Sequence, residues 1–95
     1  MRLQLTDSAR DDLMSIRDYS AEQWGGARRD RYMHAINKRL AELLRHPELG
    51  PARDDLGAGF RCLLVGRHAI FYRLEGEDIV VQRVLHQRMD FRCSL

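Results

Sequence analysis

The sequence predicts an α+β fold of order β-α-α-β-β-β, an antiparallel helix hairpin packed on a small twisted antiparallel sheet. Three observations lead to it. Apolar residues recur at helical spacing through the first half, a stretch rich in glycine and proline interrupts the chain, and three short apolar runs joined by tight turns fill the second half. Ninety-five residues make one domain with one core and little spare stability.

"RLQL" (Arg2 to Leu5) alternates polar and apolar residues, as a short strand does. Thr6 or Ser8 is a suitable helix N-cap, and Asp7, Asp11 and Asp12 lie near the positive end of the helix dipole. Ala9, Leu13, Ile16 and Ser20 form one stripe, extended by Tyr19 and Trp24, in a helix of about 18 residues and roughly 27 Å. Gly25–Gly26 ends it, because glycine accepts the left-handed backbone a helix terminus favours.

Tyr32, Ile36, Leu40 and Leu43, flanked by Ala35 and Leu44, mark a second helix from about Ala27 to His46, closed by Pro47. So short a connection makes the two helices an antiparallel hairpin. "PELGPARDDLGAG" (Pro47 to Gly59) reads as a long loop. Three strands follow at Phe60 to Gly66, His68 to Leu74 and Ile79 to His86, with turns at Gly66–Arg67 and at "EGED" (Glu75 to Asp78).

Composition limits the function classes. The net charge is only +2, from 16 basic and 14 acidic residues, and no basic block stands out, so sequence-specific nucleic-acid binding is not expected. Fifteen of the 16 basic residues are arginine, the side chain suited to bidentate carboxylate or phosphate contacts, although GC-rich coding produces the same preference. Cys62 and Cys93 lack metal-ligand spacing; Cys62 reads as a small core residue and Cys93 as a frayed end. The four histidines share no ligand spacing either, so neither a metal nor another cofactor is expected. No secretory or membrane-spanning segment is visible, which makes a reducing cytoplasm the expected location.

"LTDSARDDLMSIRDY" (Leu5 to Tyr19), "WGGARRDRY" (Trp24 to Tyr32), "HPELGPARDDLGAGFR" (His46 to Arg61) and above all "GRHAIFYRLEGEDIVVQRVLHQRMD" (Gly66 to Asp90) resemble the ParE branch of the RelE/ParE toxin superfamily. The resemblance implies the toxin half of a bacterial type II toxin–antitoxin pair, held inactive by a ParD-like antitoxin whose disordered tail folds onto it. ParE-like members are associated with inhibition of DNA gyrase, whereas RelE-like relatives cut mRNA on the ribosome. Higher-order toxin–antitoxin oligomers would also be compatible.

RNA cleavage needs a general base, a general acid and a cation near the phosphate. Some RelE-like enzymes use an arginine on the middle strand and a His-Tyr pair after the last strand. Here Arg73 matches that arginine, but Gln87 and Arg88 stand where the pair would be. Sliding the alignment by one brings His86 to the histidine position and still leaves Gln87 for the tyrosine. A binding toxin is therefore the expected reading. A ribonuclease using Arg73 and His86 is the alternative, and a toxin that only retains antitoxin binding is a third.

The expected target-facing element is the C-terminal stretch with Arg83, His86, Arg88, Met89 and Phe91. Leu13, Ile16 and Tyr32 would line an antitoxin groove beside the hairpin, with ordinary hairpin core as the competing reading. Arg61, Arg73 and Arg83 interrupt adjacent strands and could receive an acidic antitoxin or target segment if they share a face; a solvated sheet face is the competing reading. Trp24 reads as a cap over the hairpin end, "RRDR" (Arg28 to Arg31) as the exposed face of helix two, and His34 as solvated. His46 would favour the negative end of its helix, and His68, opening a strand, would be half-buried.

Overall fold

A computed structural model describes residues 1–89; Phe91 and Cys93 lie outside the described residues. The elements are β1 (Leu3–Leu5), α1 (Asp7–Trp24), α2 (Gly26–Arg45), β2 (Phe60–Val65), β3 (His68–Glu75) and β4 (Asp78–His86). Thr6 caps α1 by accepting the Ala9 amide at 3.0 Å, and Gly25, at φ 81°, is the one residue between the helices. Of the two adjacent glycines only Gly25 needs positive φ; Gly26 already belongs to α2.

The sheet order is β1-β4-β3-β2. β2, β3 and β4 are antiparallel neighbours, whereas β1 pairs with β4 in parallel, Leu3 opposite Ile79 and Leu5 opposite Val81. The connectivity permits this parallel pairing, because both helices and two strands separate β1 from β4. Both hairpins have two-residue loops opening on a positive-φ glycine, Gly66 and Gly76, as the II′ turn prefers.

The helices cover one sheet face. Ala9 and Ile16 of α1 and Ile36, Leu40 and Leu43 of α2 pack on Leu63, Val65, Ile70, Tyr72, Ile79, Val81 and Val84. Tyr19 and Leu44, expected on or beside the helix stripes, are instead 60 % and 43 % exposed. On the other sheet face Ala69, Phe71 and Leu85 form a smaller cluster with Leu56, Phe60 and Cys62. Burial pushes the Cys62 thiol above its ordinary value, so it is not an activated nucleophile.

The stretch after α2 is more than a loop. The buried Tyr72 hydroxyl donates to the Pro47 carbonyl at 2.8 Å and accepts the Gly50 amide at 2.9 Å. Cys62 donates its amide to the Pro51 carbonyl at 3.1 Å, and Ala52 bridges Arg61 in antiparallel fashion. The segment therefore lies along the outer edge of β2 and covers backbone groups that would otherwise form an open sheet edge.

Candidate functional site

Alternation in "IVVQRVLH" breaks at Gln82–Arg83, and the structure places a β-bulge there. Tyr72 pairs with Val81 and Phe71 with Arg83, leaving Gln82 as the extra residue. Val81 and Val84 both face the helices as a result, and His86 shares their face while Leu85 points to the opposite one. Without the extra residue every side chain after it would be inverted.

The N-terminal part of α1 supplies the hydrogen bonds that the bulge removes. The Thr6 hydroxyl donates to the Gln82 carbonyl at 2.8 Å. Asp12 accepts the Val84 amide at 2.9 Å and is gripped by the Arg83 guanidinium at 2.7 and 2.9 Å. The side chains of this pair are only 20 % and 13 % exposed for Arg83 and Asp12.

His86, oriented by the bulge, stands opposite His68 with ring centres 5.5 Å apart, edge to face. His68 Nδ1 in turn shares a 2.5 Å hydrogen bond with the Tyr32 hydroxyl, which also accepts the Arg67 amide at 3.0 Å. The Tyr32 ring meets Trp24 edge-on at 5.8 Å. His86 Nδ1 accepts the Arg88 amide at 3.2 Å. Beside this chain a cleft of about 390 Å³ opens between α1 and the end of β4, lined by Ile16, Tyr19 and Trp24 on one side and by His68, His86 and Met89 on the other.

His68 is held below its ordinary value, first by burial and then by the neighbouring His86. The fold thus favours the neutral ring, and the unfolded chain takes up this proton at higher pH. The resulting stability is complete above about pH 6.5 and declines as pH falls through that value towards the folded pKa. Tyr32 and His86 are the described polar groups in contact with the ring. Acidification below about pH 6.5 is expected to lower the melting temperature more steeply in the parent than in His68→Asn; parallel curves would reject the assignment.

A second outcome concerns the β2–β3 turn. A Cβ on Gly66 would lie 2.6 Å from the Tyr32 ring at a position of φ +55°, whereas one on Gly76, at φ +61°, meets nothing within 4 Å. Gly76→Ala should cost only the backbone penalty of about 1–2 kcal/mol. Gly66→Ala should cost about 1–3 kcal/mol more, because Tyr32 must move. Urea denaturation of the two variants measures the difference, and equal losses would mean that Tyr32 yields freely.

The three strand arginines do not form the cluster that a shared face would have created. Arg61 faces the helix side and donates to the Gly50 carbonyl at 2.8 Å, whereas Arg73 lies on the opposite side over the Phe60 ring at 5.6 Å. Arg83 is bound to Asp12. Arg73 and His86, the pair expected for RNA cleavage, are not adjacent. Arg73 stands five positions along β3 from His68, the partner of His86, so roughly 17 Å of strand and a change of face separate them. Leu13 and Ile16 pack in the helix-side core, with Ile16 also reaching the cleft wall, and Tyr32 is the partner of His68. Arg88 and Met89 are exposed after β4.

Comparison with known proteins places this architecture. The model of the ParE toxin of the type II toxin–antitoxin system parDE matches residues 3–91. This chain belongs to the ParE toxin family. It is 36 % identical to Toxin ParE1 of Mycobacterium tuberculosis, over 99 % of this chain and 97 % of that protein. Toxin ParE1 of Caulobacter vibrioides is 34 % identical, over 96 % and 94 % of the two chains. Among solved structures, the chromosomal ParDE system from P. aeruginosa superposes with a TM-score of 0.79 at 23 % identity, covering 90 % of this chain and 95 % of that one. The toxin–antitoxin complex RelBE2 from Mycobacterium tuberculosis gives a TM-score of 0.65 at 26 % identity, covering 90 % and 96 %.

Within this ParE-family toxin, sequence reasoning missed Asp12 as the acceptor that holds the bulge, and missed the Tyr32–His68 bond. The first left a signal, the broken alternation at Gln82–Arg83. The second left none, because 36 positions separate the partners and neither residue type announces the other.

Proposed function

We propose that this toxin acts by binding DNA gyrase in the bacterial cytoplasm and that a ParD-like antitoxin neutralises it. The match to the ParE family model over residues 3–91 carries the reading. The separation of Arg73 from His86 supports binding over cleavage, since one phosphodiester cannot touch both. The contact surface we assign to the target is the end of β4 and the residues after it, His86, Arg88, Met89 and Phe91. Arg83 serves the fold through Asp12. The α1–β4 cleft, with Ile16 and the exposed Tyr19 on its wall, has the shape and apolar character for an antitoxin helix.

Purified toxin should inhibit supercoiling by gyrase, and addition of its antitoxin should restore it. Gyrase left untouched at large toxin excess would remove the reading. One observation favours a second possibility. His86 and His68 stand together at the cleft, so an acid–base pair is present even though Arg73 does not contribute. Cleavage of ribosome-bound mRNA that disappears in His86→Ala would establish a ribonuclease instead.

A further inference from the structure

Charge counting along the chain gives no basic block, yet the fold assembles one. Arg28 and Arg31 of α2, Arg67 of the β2–β3 turn and Arg88 after β4 all border contiguous concavities around Gly66 and Arg67. Among the described residues no acidic side chain lines either of these two concavities. In the adjoining α1–β4 cleft the one acid among the described residues, Asp12, is already bound by Arg83. None of the four arginines has a carboxylate within ion-pair distance among the described residues. By contrast Arg2, Arg17, Arg29, Arg39, Arg53 and Arg83 each do.

Trp24 organises the centre of this patch. The Arg28 and Arg67 guanidiniums lie over its ring at 5.1 and 5.9 Å. Arginine stacked on an aromatic ring is weakly hydrated and has part of its rotamer freedom already spent, while its N–H groups remain free to donate. Two such forks held by one ring, without carboxylates, suit oxygens that carry a diffuse negative charge. The Tyr19 ring, 60 % exposed, borders the same surface.

We infer that this face binds the phosphodiester backbone of nucleic acid without reading its sequence. A phosphate backbone offers regularly spaced anions to cations arriving from three different parts of the chain, and the Trp24 ring holds two of those cations in place. An acidic polypeptide would meet the same charges but would not need the stacked geometry. The inference does not rest on gyrase being the target.

The test uses the purified full-length toxin and a fluorescein-labelled mixed-sequence DNA duplex of about 20 base pairs, titrated at several salt concentrations. Binding in the range usual for non-specific contacts, Kd about 10⁻⁴–10⁻⁶ M, is expected. Its affinity should fall with salt by roughly 0.9 logarithmic units per unit of log salt for each phosphate neutralised. Arg28→Gln combined with Arg67→Gln should reduce that slope by about 2. Arg2→Gln and Arg17→Gln, on exposed arginines paired with Asp78 and Asp18, should leave it unchanged. Because Trp24 is the sole tryptophan of the chain, its emission should change on binding.

Three results would overturn the inference. One is an unchanged salt slope in the Arg28/Arg67 double variant, and another is binding without any change in Trp24 emission. The third is tighter binding of poly-glutamate than of the DNA at equal charge, which would make the face an acidic-peptide surface. Circular dichroism of the double variant distinguishes loss of binding from loss of fold, and Arg31→Gln with Arg88→Gln provides a second slope reduction of about 2 on solvent-exposed positions.

Discussion

Tyr72→Ala is expected to remove about 5 kcal/mol of stability, comparable with the whole folding free energy of a marginal small domain. Two losses combine. Deleting a fully buried aromatic ring from the helix-side core leaves a cavity worth about 3–5 kcal/mol. The Gly50 amide and Pro47 carbonyl also lose their shared partner, and an orphaned buried group costs about 1–3 kcal/mol. Burial raises the Tyr72 phenol pKa, so the proton it donates to Pro47 is present throughout the neutral range.

Tyr72→Phe isolates the hydrogen bonds, with an expected loss of about 2 kcal/mol in urea denaturation. It should also speed hydrogen exchange at the Gly50 and Cys62 amides, because the strap along β2 loses its fastening. A phenylalanine variant within about 0.5 kcal/mol of the parent, with unchanged exchange, would show that the strap holds without the hydroxyl.

Asp12→Ala is the second large effect, at about 3–5 kcal/mol, for a different reason. The substitution takes both Asp12 hydrogen bonds from a largely buried guanidinium and removes the acceptor of the Val84 amide. Much of that loss is the cost of a largely buried guanidinium deprived of its carboxylate, so Arg83→Leu added to Asp12→Ala should recover part of it. The recovery should be incomplete because Val84 still lacks an acceptor. The bulge also sets the direction of His86, so the His86 ring resonances should shift in Asp12→Ala. Retention of both stability and those resonances would show that the bulge is held by the sheet alone.

The helices and strands were legible because their signals are local. Thr6 caps α1 and Gly25 ends it, and the 3.6-residue spacing of Ile36, Leu40 and Leu43 places α2 in the core. Tyr19 and Leu44 misled, because apolar content near a stripe says nothing about whether a neighbour covers it. The strap was less legible. Pro47 to Gly59 has a loop's composition, and its attachment depends on Tyr72, a residue of another element. The strand arginines show the same limit, since only the register assigns Arg61 to one face and Arg73 to the other.

By itself the sequence determined the element order, the approximate ends of the helices, both hairpin turns and the resemblance to ParE-like toxins. These rest on interactions among residues close together in the chain, or on patterns carried by residue types. Tertiary structure alone decided the parallel place of β1, the bulge that turns His86 towards His68, the Asp12–Arg83 lock and the gathering of Arg28, Arg31, Arg67 and Arg88. Each of these depends on groups brought together from distant positions, where short-range periodicity carries no information and the register of one strand can reverse the role of every residue after it.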